Sequence, residues 1–245
     1  MTLFEAILLI LGGAAAGVIN TMAGGGSMLT VPLLVLAGVP GTAANGTNRV
    51  GILTSNMSAA ATFKRLGVDG LRYAAPTIIP AVPGSLVGAY LISQISNESF
   101  ERAFGLLMLP LIVLTIWKPK PKTDGTSWSR LTTTIVFFLI GAYAGAVQAG
   151  FGLITLAALS RSGIDLVTGN MVKVVLNIAV TTVALVVFII EGNVRWLPAL
   201  ILALGLTFGG WLGARLSVGG GEKWIRIVMV VAALALAGRL LGFYG

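Results

Sequence analysis

The chain contains no cysteine and no histidine. Those absences exclude disulfides, thiol chemistry, haem ligation and the usual zinc sites. They also remove the side chain that most readily moves protons near neutral pH. Acidic residues are scarce, with eight Asp and Glu against sixteen Lys and Arg. All eight (Glu5, Asp69, Glu98, Glu101, Asp124, Asp165, Glu191, Glu222) fall at a chain end, in a loop or at a helix terminus. A carboxylate proton relay inside a span therefore has little to use, and Asp165 at a turn is the one acidic candidate. There is no nucleophile–base pair, metal-ligand cluster or nucleotide loop, so neither an enzyme nor a cofactor or metal is expected.

Charged residues of all kinds make up only 10% of the 245 positions, against roughly a quarter in ordinary soluble domains. Hydrophobic residues make up 56%, and the mean hydropathy is +0.97. Apolar runs recur at 3–22, 47–63, 73–92, 103–117, 131–148, 174–190, 197–216 and 225–241. Each approaches or reaches the ~20 residues that cross a bilayer. The expectation is an integral membrane protein whose partner is the lipid bilayer. The first run lacks a basic start and a small-residue cleavage site and carries Glu5, so it is expected to be retained. A pI near 10.3 could suggest nucleic acid, but the basic residues sit in short loops between spans and read as positive-inside topology signals.

Sliding the sequence by 125 positions superposes its halves. Identities include Gly38/Gly163, Asn45/Asn170, Gly67/Gly192, Gly84/Gly209 and Gly88/Gly213. With a small gap, Gly24-Gly25-Gly26 aligns with Gly150-Phe151-Gly152, and Asn20 with Gln148. Two repeats follow, 1–117 and 131–245, joined by a basic, cytoplasmic linker at 118–130. Each repeat has a long apolar segment ending in glycines, a short one (28–37; 153–160), a turn and three full spans. Paired interruptions of this kind at membrane depth point to a transporter's binding site. The loop holding Lys64, Arg65 and Arg72 is basic, whereas its counterpart holds Glu191 and Arg195. The next pair reverses, with 94–101 acidic and its counterpart holding Arg215, Lys223 and Arg226. Equivalent loops then lie on opposite sides of the membrane. The fold class expected is an all-α integral membrane protein with two inverted repeats, each a re-entrant or broken-helix hairpin plus three spanning helices.

The string Ala23-Gly-Gly-Gly-Ser-Met-Leu-Thr-Val-Pro-Leu-Leu, the opening Gly12-Gly-Ala-Ala-Ala-Gly, Gly38-Val-Pro and the echo Gly145-Ala-Val-Gln-Ala-Gly-Phe-Gly resemble the sulfite exporter TauE/SafE family, also called toluenesulfonate uptake permeases. The resemblance covers the whole chain. It implies movement of sulfur-containing anions, such as sulfite, sulfoacetate and other organosulfonates, across the inner membrane of prokaryotes.

Two cations, Arg49 and Lys173, lie inside apolar stretches, and charges within membrane helices are costly and usually functional. Spacings of three and four put Asn45, Asn48 and Arg49 on one helical face, and Asn170, Lys173 and Asn177 on another. Their amides and cations can donate to the oxygens of a small anion. Gly24, Gly25, Gly26, Ser27, Gly150 and Gly152 would add backbone N–H groups at the starts of short helices, where the macrodipole favours anions. Ser27 and Thr155 could supply hydroxyls. If both hairpins point to the midplane, the two faces converge. Each element also has a structural alternative. Arg49 and Lys173 can snorkel to an interface, Asn45 and Asn170 can cap or join helices, and Gly84, Gly88, Gly209 and Gly213 can serve close packing. The expected function is secondary transport exporting small sulfur-containing anions by alternating access. Uptake of such anions and an anion channel are the alternatives, and a homodimer is left open. Export of an anion needs no coupling ion when the cell interior is negative, since the potential contributes ~2.3 kcal/mol per charge per 100 mV.

Overall fold

A computed structural model of the protein describes the backbone of residues 1–116, 128–161 and 164–240, and the side chains of these except 109, 112–116 and 220–240. The described residues are all-helical, with no strand among them. The helices are α1 (Leu3–Ala23), α2 (Ser27–Leu36), α3 (Gly41–Arg65), α4 (Leu71–Ser93), α5 (Asn97–Ile116), α6 (Arg130–Ala146), α7 (Phe151–Ser160), α8 (Leu166–Ile190) and α9 (Trp196–Leu240). Among the described residues, four stretches are long and apolar enough to cross a membrane: 3–23, 71–93, 166–190 and 196–219. Most of the expected linker, including Lys118, Lys120 and Lys122, lies outside the described residues.

Local chemistry sets the breaks. Thr2 and Glu5 form a capping box that starts α1, satisfying two orphan amides reciprocally. Gly24 ends it in a left-handed conformation, φ 83°, which glycine adopts without steric cost. On the second side Gly150 has φ 67° and Gln148 φ 63°, so the chain reverses between α6 and α7. The short segments α2 and α7 are therefore separate helices, as the glycine spacing implies. α3 and α8 start before the apolar runs 47–63 and 174–190, and the added turns carry Asn45 in α3 and Asn170 and Lys173 in α8. One expectation fails. The loop placed between the runs 197–216 and 225–241 is helical, and α9 continues without interruption. Residues 217–224 contain no proline, and glycine weakens a helix without forbidding it.

Glycines carry the tightest packing. A Cβ at Gly84 would fall 2.1 Å from the carbonyl oxygen of Phe138, and one at Gly145 equally close to that of Ser85. Across α1 and α9, a Cβ at Gly209 would fall 2.2 Å from the Ala14 oxygen, and one at Gly205 2.0 Å from the Ile10 oxygen. Small residues let helix backbones approach this closely. The contacts run 10, 14, 18 on α1 beside 205, 209, 213 on α9, and 81, 85 on α4 beside 141, 145 on α6. Both pairs are therefore parallel. α3 and α8 are antiparallel, with Phe63 clustered with Met171 at one end and Val50 beside Phe188 at the other.

Candidate functional site

α1 and α6 both stop inside the bundle, leaving their last carbonyls without intrahelical partners at the negative end of the helix dipole. Each end receives a cation from the opposite half of the chain. Lys173 Nζ donates to the carbonyl oxygens of Asn20 (3.0 Å) and Thr21 (2.6 Å) and to Asn170 Oδ1 (2.8 Å). That uses all three ammonium protons. Arg49 Nη1 donates to the Ala144 oxygen (2.9 Å) and Nη2 to that of Gly145. Asn45 Nδ2 reaches the neighbouring Ala146 oxygen at 2.7 Å. The Arg49 guanidinium also stacks over Phe188, 4.8 Å from the ring centroid, a favourable cation–π placement.

Arg49 is 0% exposed and Lys173 1%, so neither snorkels. Neither pairs with a carboxylate, and the ion pair found among the described residues is the exposed Arg102–Glu98. Buried charge of one sign, compensated by carbonyl dipoles and one aromatic face rather than by a carboxylate, is costly. Several buried polar atoms near these cations lack partners, including Asn20 Nδ2, Asn170 Nδ2, Arg49 Nε, Asn45 Oδ1 and Gln148 Oε1. Thr155 Oγ1, on α7, is another.

The remaining predicted residues divide. Asn48 does not share a direction with Arg49. Its Nδ2 donates to Ser27 Oγ (3.0 Å) and its Oδ1 accepts from Thr30 (2.6 Å), anchoring the first turn of α2. Adjacent helical residues point about 100° apart, so only Asn45 and Arg49 face α6. Asn177 Oδ1 accepts from Gln148 Nε2 (2.8 Å) and from Thr181 (2.9 Å).

The two glycine breaks meet each other. Gly152 N–H donates to the Gly24 carbonyl at 3.2 Å, and a Cβ at Gly24 would fall 2.1 Å from the Gly152 Cα. These two glycines are packing surfaces as well as turns. Gly150 faces the Leu111 side chain, Gly26 sits over Asn20, and Gly25 has room, its Cβ position 3.4 Å from Met28 Sδ. The amides of Gly25, Gly26 and Ser27 take no backbone carbonyl among the described residues.

The two polar faces do not converge on one point. Arg49 sits over Phe188, fifteen positions beyond Lys173 on α8, about 22 Å along the axis. Side chains lean toward the N-terminus of their own helix, so on antiparallel α3 and α8 these two cations lean apart. The arrangement is two separate cation-centred clusters, with the Gly24–Gly152 crossing packed against the Lys173 side chain. Asp165 takes no part. It caps α8 through the amides of Val167 and Thr168, both at 3.0 Å, and its carboxyl lies below the ordinary value because Thr168 hydrogen-bonds it. A groove of about 620 Å³ lies away from both clusters, lined by Thr54, Leu200, Leu204, Phe208 and Trp211 among others.

Sequence reasoning selected the cations but missed their acceptors, because a backbone carbonyl has no residue signature. Gln148 and Asn20 carried a signal, since they align between the repeats and both lie beside the end of a broken helix.

The family described as "Sulfite exporter TauE/SafE" matches residues 9–240. The chain is 29% identical to "Probable membrane transporter protein ORF9" of a Sinorhizobium species, over 92% of this chain and 88% of that one. It is 28% identical to "Probable membrane transporter protein YfcA" of Escherichia coli K12, over 92% and 86%. It is 24% identical to "Probable membrane transporter protein YunE" of Bacillus subtilis, over 96% and 97%. No solved structure matches the chain. With nearly its whole length matched, this membrane protein belongs to the sulfite exporter TauE/SafE family of transporters.

Proposed function

We propose that the protein is a secondary transporter that moves small sulfur-containing anions, sulfite or organosulfonates such as sulfoacetate, outward across the inner membrane. The observation that carries this reading is the pair of buried cations, Arg49 and Lys173, held at helix breaks with no carboxylate partner among the described residues. An anion entering either cluster gains a charge-assisted bond and supplies acceptors to donors that now lack them. Asn20 Nδ2, Asn170 Nδ2 and Arg49 Nε are those donors. The description of the matching family supports sulfite as a member of the substrate class.

The repeats are two inverted halves, 1–117 and 131–245, in a multi-pass arrangement. Antiparallel α3 and α8 support this, as does the exchanged pairing in which α1 packs on α9 and α6 on α4. Full burial of both cations supports a carrier that occludes its substrate over an open pore. The membrane potential suffices for outward movement of an anion.

Purified protein in proteoliposomes, tested with sulfite, sulfoacetate, taurine, thiosulfate and acetate, should carry sulfite or sulfoacetate in preference to acetate. Equal or absent flux for all five would overturn the assignment.

A further inference from the structure

We infer that the anion path contains two successive stations, one at Lys173 and one at Arg49, separated by a gate made of the Gly24–Gly152 backbone crossing. The inference rests on the anion-transport reading above and adds the order of contacts along the path.

Three observations carry it. The cations are far apart, since Arg49 stacks on Phe188, fifteen positions beyond Lys173 on α8, about 22 Å along the axis. A small oxyanion cannot bridge that span, so the two cations act on it at different times. The backbone beside Lys173, where a Cβ at Gly152 would lie 2.8 Å from Lys173 Cδ, is closed. The Gly152 amide donates to the Gly24 oxygen, and neither glycine could accept a Cβ without collision. The clusters also sit toward opposite ends of the bundle. Met171 and Val172, beside Lys173, lie against Gly70, at the end where Lys64, Arg65 and Arg72 are exposed. Thr47, two residues before Arg49, accepts from the Arg195 amide, and the nearby start of α3 donates to Glu101.

Each station has unsatisfied donors of its own. At Lys173 they are the amide nitrogens of Asn20 and Asn170, 4% and 0% exposed, and at Arg49 the Nε. An anion arriving at Lys173 draws the ammonium away from the Asn20 and Thr21 carbonyls, freeing the end of α1. That end leads directly into Gly24. Arg49 holds the end of α6, which leads through Gln148 to Gly152. Occupancy of either station thus loosens one side of the crossing. The same two side chains bind the anion and restrain the gate.

The test is sidedness. Uptake of labelled sulfite and labelled sulfoacetate is measured in right-side-out and inside-out membrane vesicles, which present opposite faces. Lys173→Gln should raise KM about tenfold or more at one face only. Arg49→Gln should do so at the other face only. Asn170→Ala should follow Lys173 in sidedness, and it carries the test if a cation variant fails to reach the membrane. If the variants raise KM alike at both faces, or all at one face, the two stations are wrong while anion transport stands. If wild type carries neither anion, the transport reading falls and the stations fall with it.

Discussion

Gly152 donates its amide to the carbonyl of Gly24 at 3.2 Å, joining two helix breaks that are more than a hundred residues apart in sequence. A long-range backbone contact of this kind requires both positions to lack a side chain, and Gly24 also needs its positive φ.

A first prediction follows for substitutions at the breaks. A Cβ at Gly152 would lie 2.3 Å from the Gly24 Cα and 2.8 Å from Lys173 Cδ. Gly152→Ala should therefore cost about 1–3 kcal/mol, the usual range for overpacking. Gly25→Ala meets its nearest neighbour at 3.4 Å and should change stability by less than about 1 kcal/mol. Thermal unfolding in detergent compares them. Equal losses would contradict the crossing.

Removing the cation from a break should destabilise it. Lys173→Gln leaves the carbonyls of Asn20 and Thr21 and the Asn170 Oδ1 without the ammonium. The loss should be about 1.5–3 kcal/mol, the scale of hydrogen bonds to charged groups. A variant as stable as wild type would show that the α1 end does not depend on Lys173.

Single cysteines can read the topology cleanly, because the chain has none of its own. Lys64, in the last turn of α3, and Glu191, just after α8, are both exposed and lie at equivalent places in the two halves. Lys64→Cys and Glu191→Cys should react with an impermeant maleimide from opposite faces of the membrane. Reaction from the same face would end the inverted arrangement.

The apolar runs foretold most of the helices, and the glycine clusters foretold both breaks, because hydropathy and backbone freedom are local properties. Polar residues hid the true starts of α3 and α8, since Asn45, Asn170 and Lys173 interrupt hydropathy while remaining buried. Arg49 and Lys173 stood out as charges in apolar surroundings, yet their targets did not, because those targets are carbonyls of the other half. The continuity of α9 was also hidden, since a glycine-rich, charged stretch reads as a loop when no packing is known.

Asp165 supplies a pH prediction outside the spans. Its folded pKa is lowered by hydrogen bonds from Thr168 first and from the backbone of Thr168 and Val167 after it. The cap's contribution is therefore fully present above the ordinary carboxylate value of 3.8 and is lost as pH falls through the lower folded value. Asp165→Ala should cost about 1 kcal/mol near neutral pH. The gap between wild type and variant should close only in strong acid. A gap that widens on acidification would reverse the sign and refute the cap.

Locating the anion itself separates binding at the two buried cations from binding elsewhere. Selenite has the shape and charge of sulfite and scatters anomalously near the selenium edge, so crystals grown with it should reveal its position. An anomalous peak is expected within hydrogen-bonding distance of Lys173 and Asn170, or of Arg49. A peak confined to other parts of the molecule, with both cation clusters empty at saturating selenite, would contradict binding at the cations.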